Sequence, residues 1–133
     1  MEILFVEKPE LDAAALTGLR KAVGWEGDLE RVKKTIGRSY YWAAGFAEEK
    51  LIAYIEVISD GVDDAYIRNL IVHPDYQRRG IGLKLLEMVL SRVKADRIKT
   101  VNVLFEPGLE PFYRKAGFKI ISGGIIDNHA EKG

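Results

Sequence analysis

Apolar side chains recur along this chain in two rhythms, and the changes between them mark its elements. Residues 3–6 form a short apolar run with β-branched content that stops near Pro9, which predicts a strand. Asp12 then stands where a helix cap belongs, and Leu16, Leu19 and Val23 follow at helical spacing before Gly24 ends the segment. Asp28 begins a second, shorter helix with Leu29, Val32 and Ile36 on one side and Gly37 after it. Residues 39–47 and 51–58 read as a hairpin around the polar turn Glu48-Glu49-Lys50. A second turn over 59–64, Ser-Asp-Gly-Val-Asp-Asp, leads into a strand over 65–72 that His73-Pro74 closes. The strongest helix covers 81–95, with Leu86, Val89, Leu90 and Val93 at i, i+3, i+4 and i+7, and Lys84, Glu87, Ser91 and Lys94 on the other side. A strand over 100–105, a short helix over 109–116 ended by Gly117, and final strand material in 118–121 and 125–126 complete the chain. The order β-α-α-β-β-β-α-β-α-β predicts an α/β (α+β) fold with a mixed, mostly antiparallel sheet flanked by helices.

Composition narrows what such a domain does. With 133 residues and 47% hydrophobic content, the chain is expected to form one domain around one core. Twenty basic residues balance twenty acidic ones, which argues against a dedicated nucleic-acid or membrane-surface binder. Cysteine is absent, so no disulfide forms and no acyl-cysteine intermediate is available. The start has no basic stretch followed by a long apolar run, and no apolar run approaches the ~20 residues of a membrane span, so the expected location is the cytoplasm. His73 and His129 are far apart and lack neighbouring ligands, so no metal site is expected; His73 is read as shaping the loop with Pro74.

The informative stretch runs Leu70-Ile71-Val72-His73-Pro74-Asp75-Tyr76-Gln77-Arg78-Arg79-Gly80-Ile81-Gly82, from a strand into the amphipathic helix. Two glycines let main-chain N–H groups approach a ligand, the helix start favours a phosphate, and Arg78 and Arg79 add positive charge. The alternative reading is a loop whose glycines only shape the turn. A Walker loop is excluded because Leu83-Lys84-Leu85 follows Gly82 in place of Lys-Ser/Thr, and a dinucleotide fingerprint lacks its third glycine at Leu85.

Gln77-Arg78-Arg79-Gly80-Ile81-Gly82 resembles the acetyl-CoA signature Q/R-x-x-G-x-G/A of the GNAT superfamily. Pro111-Phe112-Tyr113-Arg114-Lys115-Ala116-Gly117-Phe118 is similar to that family's FYxxxGF segment, and the order of elements agrees over nearly the whole chain. The resemblance implies a splayed sheet in which the strand ending at Val72 parts from the strand over 100–105, with the pantetheine arm of acetyl-CoA in the gap. Backbone groups of Leu70, Ile71 and Val72 would meet the pantetheine amides, and N–H groups from Gln77 to Gly82, including Arg78, Arg79, Gly80 and Ile81, would hold the pyrophosphate. Phe112 and Tyr113 would lie at the cofactor, with Tyr113 protonating the departing thiolate; the other reading makes Tyr113 a packing residue.

For the base that frees the amine, Glu56 and Glu106 are the candidates, although either also fits an exposed counter-charge. Many relatives carry Asn where this chain has Glu106 and Ala where it has Leu109, which puts the usual hydrogen bond to the cofactor arm in doubt. Trp25, Tyr40, Tyr41 and Trp42 fall where relatives wall the acceptor pocket, while the plainer reading makes them core residues; Gly24-Trp25, Ser39-Tyr40, Ser59-Asp60-Gly61 and Tyr76-Gln77 together resemble the plant and cyanobacterial serotonin N-acetyltransferase branch. The implied activity is direct transfer of acetyl to a small-molecule primary amine. Acetylation of a protein N-terminus or lysine, and a non-catalytic acyl-CoA sensor, are the rival readings. Relatives often dimerise, so a second copy is a further expected partner, although no feature of the sequence marks an interface.

Overall fold

Asp12 and Asp28 provide the caps that the apolar spacing calls for. In the computed structural model, which describes residues 2–128, Asp12 Oδ1 accepts the Ala14 N–H at 3.3 Å and opens α1 (Ala13–Ala22). Asp28 Oδ1 accepts from Glu30 and Arg31 and opens α2 (Leu29–Thr35). Before α1 lies β1 (Leu4–Glu7), and after α2 come β2 (Tyr41–Ala47), β3 (Lys50–Ser59), β4 (Asp64–Val72), α3 (Ile81–Ala95) and β5 (Thr100–Val103). These elements form one compact unit that ends at Val103.

The strands lie in sequence order, β1-β2-β3-β4-β5. Each of the first four is antiparallel to its neighbour, whereas β5 runs parallel to β4 because α3 carries the chain back between them. Alternation sends Ala44 and Tyr54 to the face covered by α1 and α2, where Leu16, Leu19, Val32 and Ile71 complete the cluster. Helix α3 packs across β2, β3 and β4 with Leu85, Leu86, Val89 and Val93 fully buried. Residues 51–57 of β3 are buried throughout, as a strand covered on both faces requires.

Three sequence expectations change in the structure. Ser39 and Tyr40 precede β2 rather than join it, since pairing with β3 starts at Tyr41, and the Tyr40 hydroxyl donates to Asp96 at the end of α3. The strand expected over 100–105 stops at Val103. The second compact unit begins at Leu104, with a 3₁₀ turn at Pro107–Leu109 and α4 (Glu110–Lys115), so the helix expected over 109–116 is shorter and preceded by a tighter turn. Pro107 favours extended backbone at Glu106 and starts the turn.

The largest correction is the final strand. Residues 118–127 form no ladder, and Ile121, Ile125 and Ile126 are 75%, 83% and 89% exposed. A strand exists only where a partner accepts its hydrogen bonds, and among the described residues this unit contains no other strand. Gly123 and Gly124 add a large ordering cost that no ladder offsets.

Candidate functional site

The parallel pairing of β4 and β5 is short. It joins Asp64, Ala65, Tyr66 and Ile67 to Thr100, Val101, Asn102 and Val103, and there β5 ends while β4 continues to Val72. From Arg68 onward, β4 has no β5 partner on that side. Its register with β3 also slips at this point, because two residues, Asn69 and Leu70, stand opposite Ile55. Asn69 takes a left-handed backbone with φ 55° at the bulge. Past the end of pairing, Leu70, Ile71 and Val72 form the free edge of β4 and border the candidate slot. Leu70 and Val72 are half-buried, and Ile71 is buried in the core.

The loop between β4 and α3 is built around that slot. His73 Nδ1 accepts the Asp75 N–H at 3.1 Å and caps a 3₁₀ turn at Pro74–Tyr76, so His73 shapes the loop. Gln77 Nε2 donates to the Val72 carbonyl at 3.0 Å and ties the loop to the strand end, leaving one lone pair of that carbonyl available. Arg78 and Gly80 both have positive φ, 64° and 78°, a conformation that glycine enters freely and arginine at a cost. Gly80 is the N-cap of α3, no side chain caps the helix, and a Cβ at Gly80 would meet nothing within 4 Å. The left-handed Gly80 followed by helical Ile81 and Gly82 leaves the first-turn N–H groups without a side-chain cap, beside open space at Gly80 and at the positive end of a 15-residue helix. This cradle fits a pyrophosphate. The Arg79 guanidinium lies 5.4 Å from the Tyr76 ring centroid, while Gln77, Arg78 and Arg79 are all exposed at the loop surface.

Beside the bulge, on the face covered by α1 and α2, lies a polar cluster that the sequence left unassembled. Glu56 is 3% exposed, so it is not an exposed counter-charge. Its Oε1 accepts from the Tyr54 hydroxyl at 2.6 Å, and its Oε2 accepts from Asn69 Nδ2 at 2.9 Å and pairs with Arg68. Three donors satisfy the carboxylate, which is why it can be buried. Asn69 Oδ1 in turn accepts from Arg20 Nη1 at 2.7 Å, and Arg20 Nε donates to the Glu26 carbonyl at 2.9 Å. Arg20 thereby joins the end of α1 and the α1–α2 loop to the bulge.

The aromatics expected at an acceptor pocket are split by the fold. Trp42 lies opposite Glu56 on β2, half-buried, with its Nε1 donating to the Pro9 carbonyl and Lys8 Nζ 5.2 Å from its ring centroid. Trp25 is exposed in the α1–α2 loop, with the Arg20 guanidinium 5.4 Å from its centroid. Tyr40 is held by Asp96, and Tyr41 is buried with its hydroxyl donating to Glu7 at 2.8 Å. Burial and the Glu7 carboxylate push the Tyr41 phenol well above its usual range, and burial with Glu56 does the same to Tyr54.

Tyr113 belongs to the second unit. Its ring is 3% exposed, stacked on Phe105 at 4.6 Å between centroids and met edge-on by Phe112 at 5.0 Å and Phe118 at 5.5 Å. The hydroxyl has no hydrogen-bond partner among the described residues, where no buried side-chain polar atom is left unsatisfied. Burial of the ring raises the phenol pKa. Glu106, in the same unit, is exposed at the start of the 3₁₀ turn with no side-chain capping bond. His129 lies outside the described residues.

The structure therefore brings Glu56 together with Leu70, Ile71 and Val72 through the bulge, and places the loop from Gln77 to Gly82 at the end of the same strand. Sequence reasoning missed Arg20, Tyr54, Arg68 and Asn69. One signal was present, since the adjacent polar pair Arg68-Asn69 breaks the alternation of an otherwise apolar strand, as a bulge does. Their mutual contacts depend on register and on where α1 packs.

The chain is 31% identical to the uncharacterized N-acetyltransferase ycf52 of Gracilaria tenuistipitata var. liui over 83% of its own length and 63% of that protein's. It is 26% identical to serotonin N-acetyltransferase 2, chloroplastic, of Oryza sativa subsp. japonica, over 81% of this chain and 56% of that one. A GNAT-family acetyltransferase structure from Streptococcus pneumoniae TIGR4 superposes with a TM-score of 0.84 at 26% identity, covering 96% of this chain and 99% of that one. The family model described as "Acetyltransferase (GNAT) domain" matches residues 22–130, most of the chain and all of the splayed strand and the loop after it, and the chain belongs to that family.

Proposed function

We propose that this chain is an acetyl-CoA-dependent N-acetyltransferase that passes acetyl directly to a primary amine of a small molecule. The observation that carries the reading is the end of β4–β5 pairing at Ile67–Val103, which leaves Arg68 to Val72 without a β5 partner ahead of the loop that leads into the uncapped start of α3. Bound acetyl-CoA would supply an activated thioester. Main-chain groups of Leu70, Ile71 and Val72 would hold its pantetheine arm, and N–H groups from Gln77 to Gly82 its pyrophosphate. Phe112 and Tyr113 would complete the cofactor contacts, with Tyr113 as the acid. Of the two carboxylates, Glu56 is favoured as the base over exposed Glu106, because it stands opposite Arg68, the first residue of β4 beyond the β5 pairing. Since its oxygens already accept from three side chains, it would act through a water.

A small acceptor is favoured by the Arg20 link, which draws the α1–α2 loop onto the sheet beside the slot. The serotonin acetyltransferase relative supports the same class. One face of each tryptophan is engaged by a cation of the chain itself, so apolar contact rather than cation–π attraction would recognise an aromatic amine. No helix among the described residues is long and apolar enough to cross a membrane. A cytoplasmic location is part of the proposal, with a plastid the alternative raised by the chloroplastic relative.

The test combines binding and turnover. Acetyl-CoA at ~100 times its Kd should stabilise the fold by about 2.7 kcal/mol in a thermal melt, and release of CoA should be seen with at least one member of a panel of arylalkylamines, polyamines and peptides. No melting shift overturns the cofactor assignment, and preference for a long peptide over every small amine overturns the acceptor class. A Gly82→Val variant should fold but lose most of the acetyl-CoA shift, because a branched side chain enters the first turn of α3 beside the cradle. A folded variant with wild-type affinity would remove the loop from the site.

A further inference from the structure

We infer that Arg20 is a positioning residue for the acceptor side of the site, acting through Asn69 on the buried Glu56 carboxylate. The inference rests on the acetyl-transfer reading and adds what holds that site in register. Arg20 can only donate and a carboxylate can only accept, so the Asn69 amide has one workable orientation, with Oδ1 toward Arg20 and Nδ2 toward Glu56. The side chain is thus a polarised bridge between a cation on α1 and an anion on β3. Its backbone is the bulge itself, φ 55° on the strand whose next three residues border the slot. Through its Nε, the same guanidinium holds the Glu26 carbonyl of the α1–α2 loop. One side chain therefore fixes three things against each other: the loop, the bulge and the direction of the Glu56 carboxylate. Charge-assisted bonds at 2.7 and 2.9 Å suit such a role, because they are both strong and directional.

A purely conformational role for Asn69 makes a different prediction, and the two can be separated. Gly and Asp both tolerate a left-handed backbone, so Asn69→Gly and Asn69→Asp preserve the bulge. Neither preserves the bridge, since glycine has no side chain and aspartate offers Glu56 a like charge in place of a donor. The experiment compares the full chain with Arg20→Met, Asn69→Gly, Asn69→Asp and the double variant Arg20→Met/Asn69→Gly. The best amine of the panel serves as acceptor, and acetyl-CoA melting shifts and NMR of the Asn69 side-chain NH2 group are recorded alongside.

The expected result is that Arg20→Met and Asn69→Gly keep their fold and most of their acetyl-CoA shift while kcat/KM for the amine falls about 10- to 100-fold; Asn69→Asp shows the same kinetic loss and, with a like charge beside the buried Glu56, a lower melting temperature. The double variant should be no worse than its poorer parent, because both substitutions break one bridge. In Arg20→Met, the Asn69 NH2 protons should lose their protection from exchange. Wild-type kinetics in Asn69→Gly and Asn69→Asp, fully multiplicative losses in the double variant, or an unchanged Asn69 amide in Arg20→Met would each overturn the inference. If no amine is turned over by the wild type yet the Asn69 amide responds to Arg20→Met, the acetyl-transfer reading fails and the bridge from Arg20 to Glu56 stands.

Discussion

Tyr113→Phe should lower kcat by about 10²- to 10⁴-fold while leaving stability and acetyl-CoA affinity almost unchanged, as expected for loss of a general acid. The structure makes this an unusually clean substitution. The ring is held by Phe105, Phe112 and Phe118, all of which phenylalanine would still meet, and the hydroxyl gives up no hydrogen bond among the described residues. Its absence should therefore register in chemistry rather than in folding. The pH profile carries a second signature. Burial raises the Tyr113 pKa, so the phenol keeps its proton beyond the usual value of about 10 and remains a competent donor throughout the neutral range. Activity that depends on the protonated phenol is present below that point and is lost as pH rises through the raised value, so an alkaline limb should lie above about 10 in the wild type and vanish in the variant. Full kcat in Tyr113→Phe across the range would return the residue to a packing role.

The second large effect is expected in the core. Leu86→Ala should destabilise the protein by about 2–5 kcal/mol, because a fully buried leucine is replaced by a cavity beneath a helix that spans three strands. Against a typical total of about 5–15 kcal/mol, that loss is easily measured by urea denaturation. Glu87→Ala, one position along on the exposed side of α3, should change stability by less than about 0.5 kcal/mol. A small effect at Leu86 would mean that α3 does not anchor on the sheet as described. The pair also bears on function, since the start of this helix forms the candidate pyrophosphate cradle and its position follows from how residues 85, 86, 89 and 93 seat against β2, β3 and β4.

Much of this protein is legible in its amino-acid sequence. Local physics determines α1, α2 and α3, because their caps and apolar stripes lie within single segments: Asp12 with Leu16 and Leu19, Asp28 with Val32, and Gly80 before Leu85, Leu86 and Val89. The hairpin of β2 and β3 and the loop from Gln77 to Gly82 are readable for the same reason, since turn residues and glycine conformations are encoded where they occur. The resemblance carried by that loop and by Phe112-Tyr113 also points to the family from short stretches.

What the sequence could not decide depends on partners distant along the chain. Whether residues 118–126 form a strand is set by whether a ladder awaits them, and no β-propensity in Ile120, Ile121, Ile125 and Ile126 substitutes for that partner. Glu56 reads equally as a candidate base and as an exposed counter-charge until the register puts Arg68 opposite it, the bulge turns Asn69 toward it, and α1 delivers Arg20 to Asn69 from 49 residues away in sequence. Only then do three donors compensate the cost of burying its charge. Sequence alone determined α1, α2, α3, the β2–β3 hairpin and the turn of the glycine loop before α3, because those interactions close within a few residues. The tertiary structure alone decided where the sheet parts, which carboxylate is buried beside the gap and what holds it, because strand register and helix packing bring together groups that no local pattern links.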